Sequence, residues 1–226
     1  MLLTDLTGKR ILVTQADTFM GPALCETLDE LGAHVIRDTR SLIEPGASEA
    51  AVRASGRVDA LIANLAVPAP RTPVQSATDE EWRDTFAWLV DPLPKLVRAV
   101  LPQMLERKSG KIVLMGSASA LRGMKLGSTY SAARGAQLAY IQAAGVELAP
   151  YNVQANAIAQ NYVENPTYYP PEVQANPKFR ERMQREVPLG RLVRPQEDAH
   201  FAAYLCSNAA DCFVGQVFPM CGGWAK

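Results

Sequence analysis

Three side chains in one stretch of the chain can do acid-base chemistry together. Ser117 follows the apolar run Ile112 to Met115. Tyr130 and Arg134 lie four residues apart in an alanine-rich segment that reaches about Leu148 before Pro150 stops it. That spacing stacks two side chains on one face of a helix, so the Tyr130 phenol and the Arg134 guanidinium can interact. A free tyrosine titrates near ~10 and is a weak base at neutral pH, but a permanent cation beside it favours the phenolate. Arginine stays protonated, so it tunes the phenol and carries no proton itself. Ser117, which both donates and accepts, can hold a substrate oxygen near that phenol. The expected chemistry is removal of a hydroxyl proton by Tyr130.

Two other stretches bear on what reaches that base. After the first apolar run the chain reads Thr14-Gln15-Ala16-Asp17-Thr18-Phe19-Met20-Gly21. A dinucleotide site at such a turn needs glycines so that backbone N–H groups can approach the pyrophosphate. Here an aromatic ring stands in the turn, and Asp17 adds negative charge where phosphates would lie. The second stretch, Gln160 to Pro170, carries Asn161, Tyr162, Tyr168 and Tyr169. Long loops over the strand ends tend to be functional.

Ser117, twelve residues, Tyr130, three residues and then a base resembles the active site of the short-chain dehydrogenase/reductase superfamily. That superfamily has lysine in the last position, where it also reaches the ribose of the nicotinamide cofactor; here the residue is Arg134. A Ser, Tyr, Arg set is similar to that of the halohydrin dehalogenases, which share the scaffold and transfer no hydride. The first turn agrees: two of the three glycines in the superfamily's Thr-Gly-x-x-x-Gly-x-Gly are replaced, and Thr14, Phe19 and Gly21 match the second dehalogenase pattern. The resemblance implies loss of halide from a vicinal halo-alcohol to give an epoxide, and reverse opening of epoxides by halide, azide, cyanide or nitrite. It implies Ser117, Tyr130 and Arg134 as catalytic residues, Phe19, Asn161 and Tyr162 along a halide site, and Tyr169 as a wall. Val67 and Met124 are expected in the substrate pocket by position. Neither an organic cofactor nor a metal is implied, and the scaffold suggests a homotetramer with the helices around Trp82 to Arg107 and Tyr130 to Leu148 between subunits.

Three positions depart from the pattern. Gln160 stands where family members often have proline, and Leu65 where some have an acid that partners the arginine. Leu89-Val90-Asp91 lacks the asparagine that the dehydrogenases use as a proton relay. Asp38 is read as a solvated residue and not a ribose contact. Two alternatives stay open: an NAD(P)-dependent oxidoreductase with an atypical cofactor turn, and a non-catalytic binding member of the fold.

The elements that must position these residues alternate. Arg10 to Thr14, Ala33 to Arg37, Ala60 to Asn64, Ile112 to Met115, Asn152 to Ala159 and Val214 to Pro219 read as strands, separated by helical patterns. This predicts an α/β fold, a Rossmann-like doubly wound parallel sheet of about seven strands, in a single domain over residues 1–226. Thr78 and Glu81 predict a capping box, Asp91-Pro92-Leu93-Pro94 a break before a helix from Lys95 to Arg107, and Gln160 to Pro177 a long loop over the strand ends.

Composition narrows the function classes. Lys plus Arg equals Asp plus Glu at 23 each, so no overall field favours nucleic acid or an anionic membrane. The four cysteines lack Cys-x-x-Cys spacing and are expected as reduced thiols in a cytoplasmic protein. No apolar run approaches the roughly 20 residues that span a bilayer, and the first residues lack a secretory pattern. His34 and His200 have no partner at metal-ligand spacing.

Overall fold

A computed structural model describes residues 4–226. The first three residues, on which the expectation about a secretory segment partly rests, lie outside the described residues. The strands are β1 (Arg10–Thr14), β2 (His34–Asp38), β3 (Ala60–Asn64), β4 (Gly110–Ser117), β5 (Val153–Gln160) and β6 (Val217–Met220). The helices are α1 (Gly21–Glu30), α2 (Ala47–Ser55), α3 (Asp79–Leu89), α4 (Pro92–Glu106), α5 (Ser128–Leu148), α6 (Pro171–Ala175), α7 (Pro177–Glu186) and α8 (Pro195–Cys206). The sheet is wholly parallel in the order β2-β1-β3-β4-β5-β6. It has six strands among the described residues rather than about seven.

Period-two alternation sends the strands' side chains to two cores. Leu12, Leu61, Ile112 and Leu114 pack with Val100 and Met104 of α4 and Leu138 and Ile141 of α5. Ile11, Val13, Val113 and Met115 pack on the other face with Leu24 and Leu28 of α1 and Ala199, Ala202 and Leu205 of α8. Strands buried on both faces read as continuous apolar runs, which is why they stood out in the sequence. α5 approaches the sheet's last crossover backbone to backbone: a Cβ on Gly145 would lie 2.4 Å from the Gly215 nitrogen.

Several expected boundaries shift. α4 starts at Pro92, because proline is tolerated in the first turn of a helix, where its missing N–H has no partner anyway. Residues 160–177 are not all loop, since α6 forms a short helix within them. Only half of the capping box closes: the Thr78 hydroxyl accepts from the Glu81 N–H at 3.1 Å. The Glu81 carboxylate is engaged by the Thr72 and Thr129 hydroxyls, which hold it below its ordinary range. Asp38 is not solvated. It is 5% exposed and paired with Arg40, and burial raises its pKa against the pull of that arginine. All four cysteines are free. No helix among the described residues is long and apolar enough to cross a membrane, and no group of His, Cys, Asp or Glu among them can hold a metal.

Candidate active site

Strand order reverses beside β1, and the crevice beyond the carboxyl ends of β1, β3, β4 and β5 is where open parallel sheets bind ligands. A cavity of about 300 Å³ lies there. Its lining brings together Ser117, Tyr130, Arg134, Phe19, Met124, Asn161, Tyr162 and Tyr169. Val67 is the exception among the predicted residues: it packs beside Tyr130 in a small cluster with Leu89 and Ala133, and Ala66 and Ala69 take the wall position.

Ser117 ends β4, where its hydroxyl is 2.9 Å from that of Ser119 and accepts from the Ser119 N–H at 3.2 Å. Tyr130 sits in the first turn of α5, 6% exposed. One turn on, the Arg134 guanidinium carbon lies over the Tyr130 ring, 5.0 Å from its centroid. Arg134 is 3% exposed, and its chain partners are neutral. Its Nη1 donates to the Leu65 carbonyl at 2.7 Å, the Met115 carbonyl at 3.3 Å and Gln137 Oε1 at 3.0 Å. Leu65 therefore supplies a partner through its backbone in place of an acid. Carbonyl dipoles orient the cation without cancelling its charge, so negative charge in the cavity is favoured.

The turn after β1 is tied down by side chains. Asn64 Nδ2 donates to the Gln15 carbonyl at 3.0 Å and the Thr18 carbonyl at 3.3 Å. The Gln15 amide bonds both ways to Ala66, Oε1 accepting at 2.7 Å and Nε2 donating at 3.1 Å. Gly21 has to be glycine, because a Cβ there would meet the Gln15 carbonyl oxygen at 2.2 Å. This bracing holds Phe19 at φ +50°, a left-handed conformation that costs of order 1–3 kcal/mol for a non-glycine residue. The Phe19 ring borders the cavity 5.8 Å from that of Tyr168.

The wall after β5 is aromatic. Tyr162, also at positive φ (+53°), stacks on Tyr169 at 5.9 Å and meets Trp224 edge-on. Burial raises the pKa of both phenols, so they stay neutral. Asn161 Oδ1 accepts from the Tyr162 N–H at 2.9 Å and the Tyr169 hydroxyl at 3.3 Å. The Tyr162 amide is thus occupied, and the donor that Asn161 retains for an anion is its Nδ2. Gln160, where proline was expected, borders the cavity and donates through its amide to the buried Asp198 on α8. Burial pushes that carboxyl up to about 7, against the hydrogen bond from Gln160.

Tyr168, in the loop between Gln160 and Pro170, has a role that only the structure shows. Its hydroxyl donates to the Val67 carbonyl at 2.7 Å and accepts from the Ala69 N–H at 3.1 Å, clasping the loop after β5 to the loop after β3. Burial raises its pKa, and the neighbouring Tyr130 phenol adds to the rise. Adjacent tyrosines in a proline-rich loop carry no periodic signal telling which one faces inward. Arg71 and Arg182 also border the cavity, and no spacing in the sequence marks them as site residues.

Comparisons with known proteins point two ways. The family described as enoyl-(acyl carrier protein) reductase matches residues 16–225. The chain is 27% identical over 244 residues to the 3-oxoacyl-(acyl-carrier-protein) reductase FabG of Vibrio cholerae serotype O1, covering 97% of this chain and 98% of that protein. Among solved structures it is similar to a dehalogenation enzyme, with 32% identity, a TM-score of 0.91 and coverage of 98% of this chain and 100% of the other. It is also similar to the halohydrin dehalogenase HheC bound to ethyl (2S)-oxiran-2-ylacetate, with 28% identity, a TM-score of 0.85 and coverage of 96% and 98%.

Proposed function

The chain belongs to the short-chain dehydrogenase/reductase family, and on that scaffold we propose a reaction without hydride transfer: expulsion of halide from a vicinal halo-alcohol to give an epoxide. Ser117 orients the substrate hydroxyl, and Tyr130 takes its proton. Arg134, buried among neutral partners, favours the negative charge that develops on the substrate oxygen. The alkoxide oxygen attacks the neighbouring carbon from the side opposite the carbon-halogen bond. The new carbon-oxygen bond forms as that bond breaks, and halide departs with the electron pair. Phe19, Asn161, Tyr162 and Tyr169 receive the ion, and Tyr130 passes its proton to solvent. In reverse, a small anion opens the epoxide and Tyr130 returns the proton.

The observation that carries this reading is the Phe19 ring on the wall of the cavity that also holds Tyr130 and Arg134. The residues present do not fit a nicotinamide dinucleotide. Phe19 takes room in the turn that a pyrophosphate needs, and Asp17 brings negative charge to it. Arg134, in the position of the ribose-binding lysine, is turned to main-chain carbonyls. The similarity to a halohydrin dehalogenase and to a dehalogenation enzyme gives the same reading independent support.

The test is halide release from a bromo- or chloro-alcohol without added cofactor. Activity that disappears in Tyr130→Phe supports the assignment, and a fully active variant refutes the assigned base. The family description and the likeness to FabG favour a second reading, nicotinamide-dependent reduction. Saturable, tight quenching or enhancement of NADPH fluorescence would establish it and displace the first. We also propose assembly as a homotetramer through α3, α4 and α5. Trp82, 47% exposed and stacked on Phe86, and Val146, 68% exposed, offer apolar surface there.

A further inference from the structure

A second recess of about 590 Å³ shares Arg71, Met124 and Arg182 with the cavity that holds Tyr130, so the two are contiguous. Its border carries five cations, Arg71, Arg122, Lys125, Arg182 and Arg185, against one carboxylate, Glu186. In a chain whose 23 basic and 23 acidic residues cancel, that excess is local. Glu186 is already engaged: it accepts from Arg185 at 3.2 Å, from Arg182 at 3.3 Å and from the Tyr162 hydroxyl at 3.2 Å. Arg71, Arg122 and Lys125 form no ion pair among the described residues.

Arg122 is held in place all the same. Its guanidinium carbon lies 4.8 Å from the Trp224 ring centroid, and Nη1 donates to the Trp224 carbonyl at 2.7 Å. A guanidinium stacked on an indole and anchored by one nitrogen keeps the rest of its donor fork for a ligand, in the planar form that suits carboxylate and phosphate oxygens. Phe19 and Asn161 border only the inner cavity. Arg122 and Lys125 border only the outer recess and Arg71 borders both, so two of the three unpaired cations stand apart from the aromatic recess where a fixed positive charge would retard release of a small ion.

We propose that the outer recess binds an anionic substituent of the substrate, a carboxylate or a phosphate, with Arg71, Arg122 and Lys125 as its contacts. The identity of the reacting end rests on the dehalogenase reading above. The natural halo-alcohol or epoxide is then an acid carrying its charge at the end remote from the reacting carbons. Cations gathered at the mouth of a low-dielectric cleft concentrate such a molecule and speed its arrival.

Calorimetry on the native protein tests the charge preference without turnover. 3-Hydroxybutanoate is compared with 3-hydroxybutanamide, and glycerol 3-phosphate with glycerol, which separates carboxylate from phosphate. At least one acid should bind about tenfold or more tightly than its neutral counterpart, with the gap narrowing severalfold from about 0.05 M to about 0.5 M salt. In an Arg122→Gln, Lys125→Gln double variant the acid's advantage should fall at least about fivefold, with the neutral compound unaffected. Equal binding of acids and neutral compounds, or equal weakening of both in the variant, overturns the proposal. In turnover, 4-chloro-3-hydroxybutanoate should show a higher kcat/KM than its amide. If neither releases halide, the reaction assigned above fails, and the calorimetry still decides the charge preference.

Discussion

Replacing Asp198 by asparagine should change how stability depends on pH. Asp198 is fully buried in α8, Gln160 donates to its Oδ2, and Oδ1 has no partner among the described residues. Burial raises its pKa from 3.8 to about 7, the Gln160 hydrogen bond opposing the rise. A carboxyl that keeps its proton over that interval prefers the neutral form in the fold by about 4 kcal/mol at most. Because the folded value is the raised one, the stabilisation is complete below the unfolded value near ~4. It erodes by about 1.4 kcal/mol per pH unit and is spent above about 7. Asparagine mimics the neutral carboxyl and cannot ionise, and its oxygen can still accept from Gln160. Urea unfolding of both proteins between about pH 4 and about pH 8 isolates the effect, since every other group cancels in the difference. The native protein should lose about 3–4 kcal/mol relative to Asp198→Asn across that range. Parallel curves would mean that the carboxyl titrates alike in the folded and unfolded chains, and the burial argument would be refuted.

Three further outcomes follow from the site. Arg134→Gln removes the cation that lies over the Tyr130 ring and should lower halide release at neutral pH by about 10²–10³-fold, with the fold retained; initial rates and denaturant unfolding check it. Tyr168→Phe strips the Val67 carbonyl and the Ala69 N–H of their shared partner. It should cost about 1–3 kcal/mol in denaturant unfolding and raise KM more than it lowers kcat. Light scattering should give four chains per particle, and Trp82→Glu should reduce that number if α3 lies in the interface; an unchanged particle would exclude that face.

The parallel sheet, Ser117 at a strand end and the pairing of Tyr130 with Arg134 could be read from the residues, because each rests on local regularities. Strands buried on both faces announce themselves as apolar runs, and four residues along a helix fix a shared face whatever the surroundings. The aromatic residue in the first turn was legible for a similar reason: a glycine requirement is a property of the turn itself. The Leu65 side chain pointed to a missing acid, whereas the fold answers with the Leu65 carbonyl, 69 residues from Arg134 along the chain. Gln160 looked like a lost proline and turned out to hold Asp198. The Tyr168 clasp and the cationic mouth likewise join segments far apart in sequence. Hydrogen-bond partners and net local charge depend on which loops the sheet order brings together. Side-chain periodicity determined what is buried, and only the path of the chain decided what each buried polar group meets.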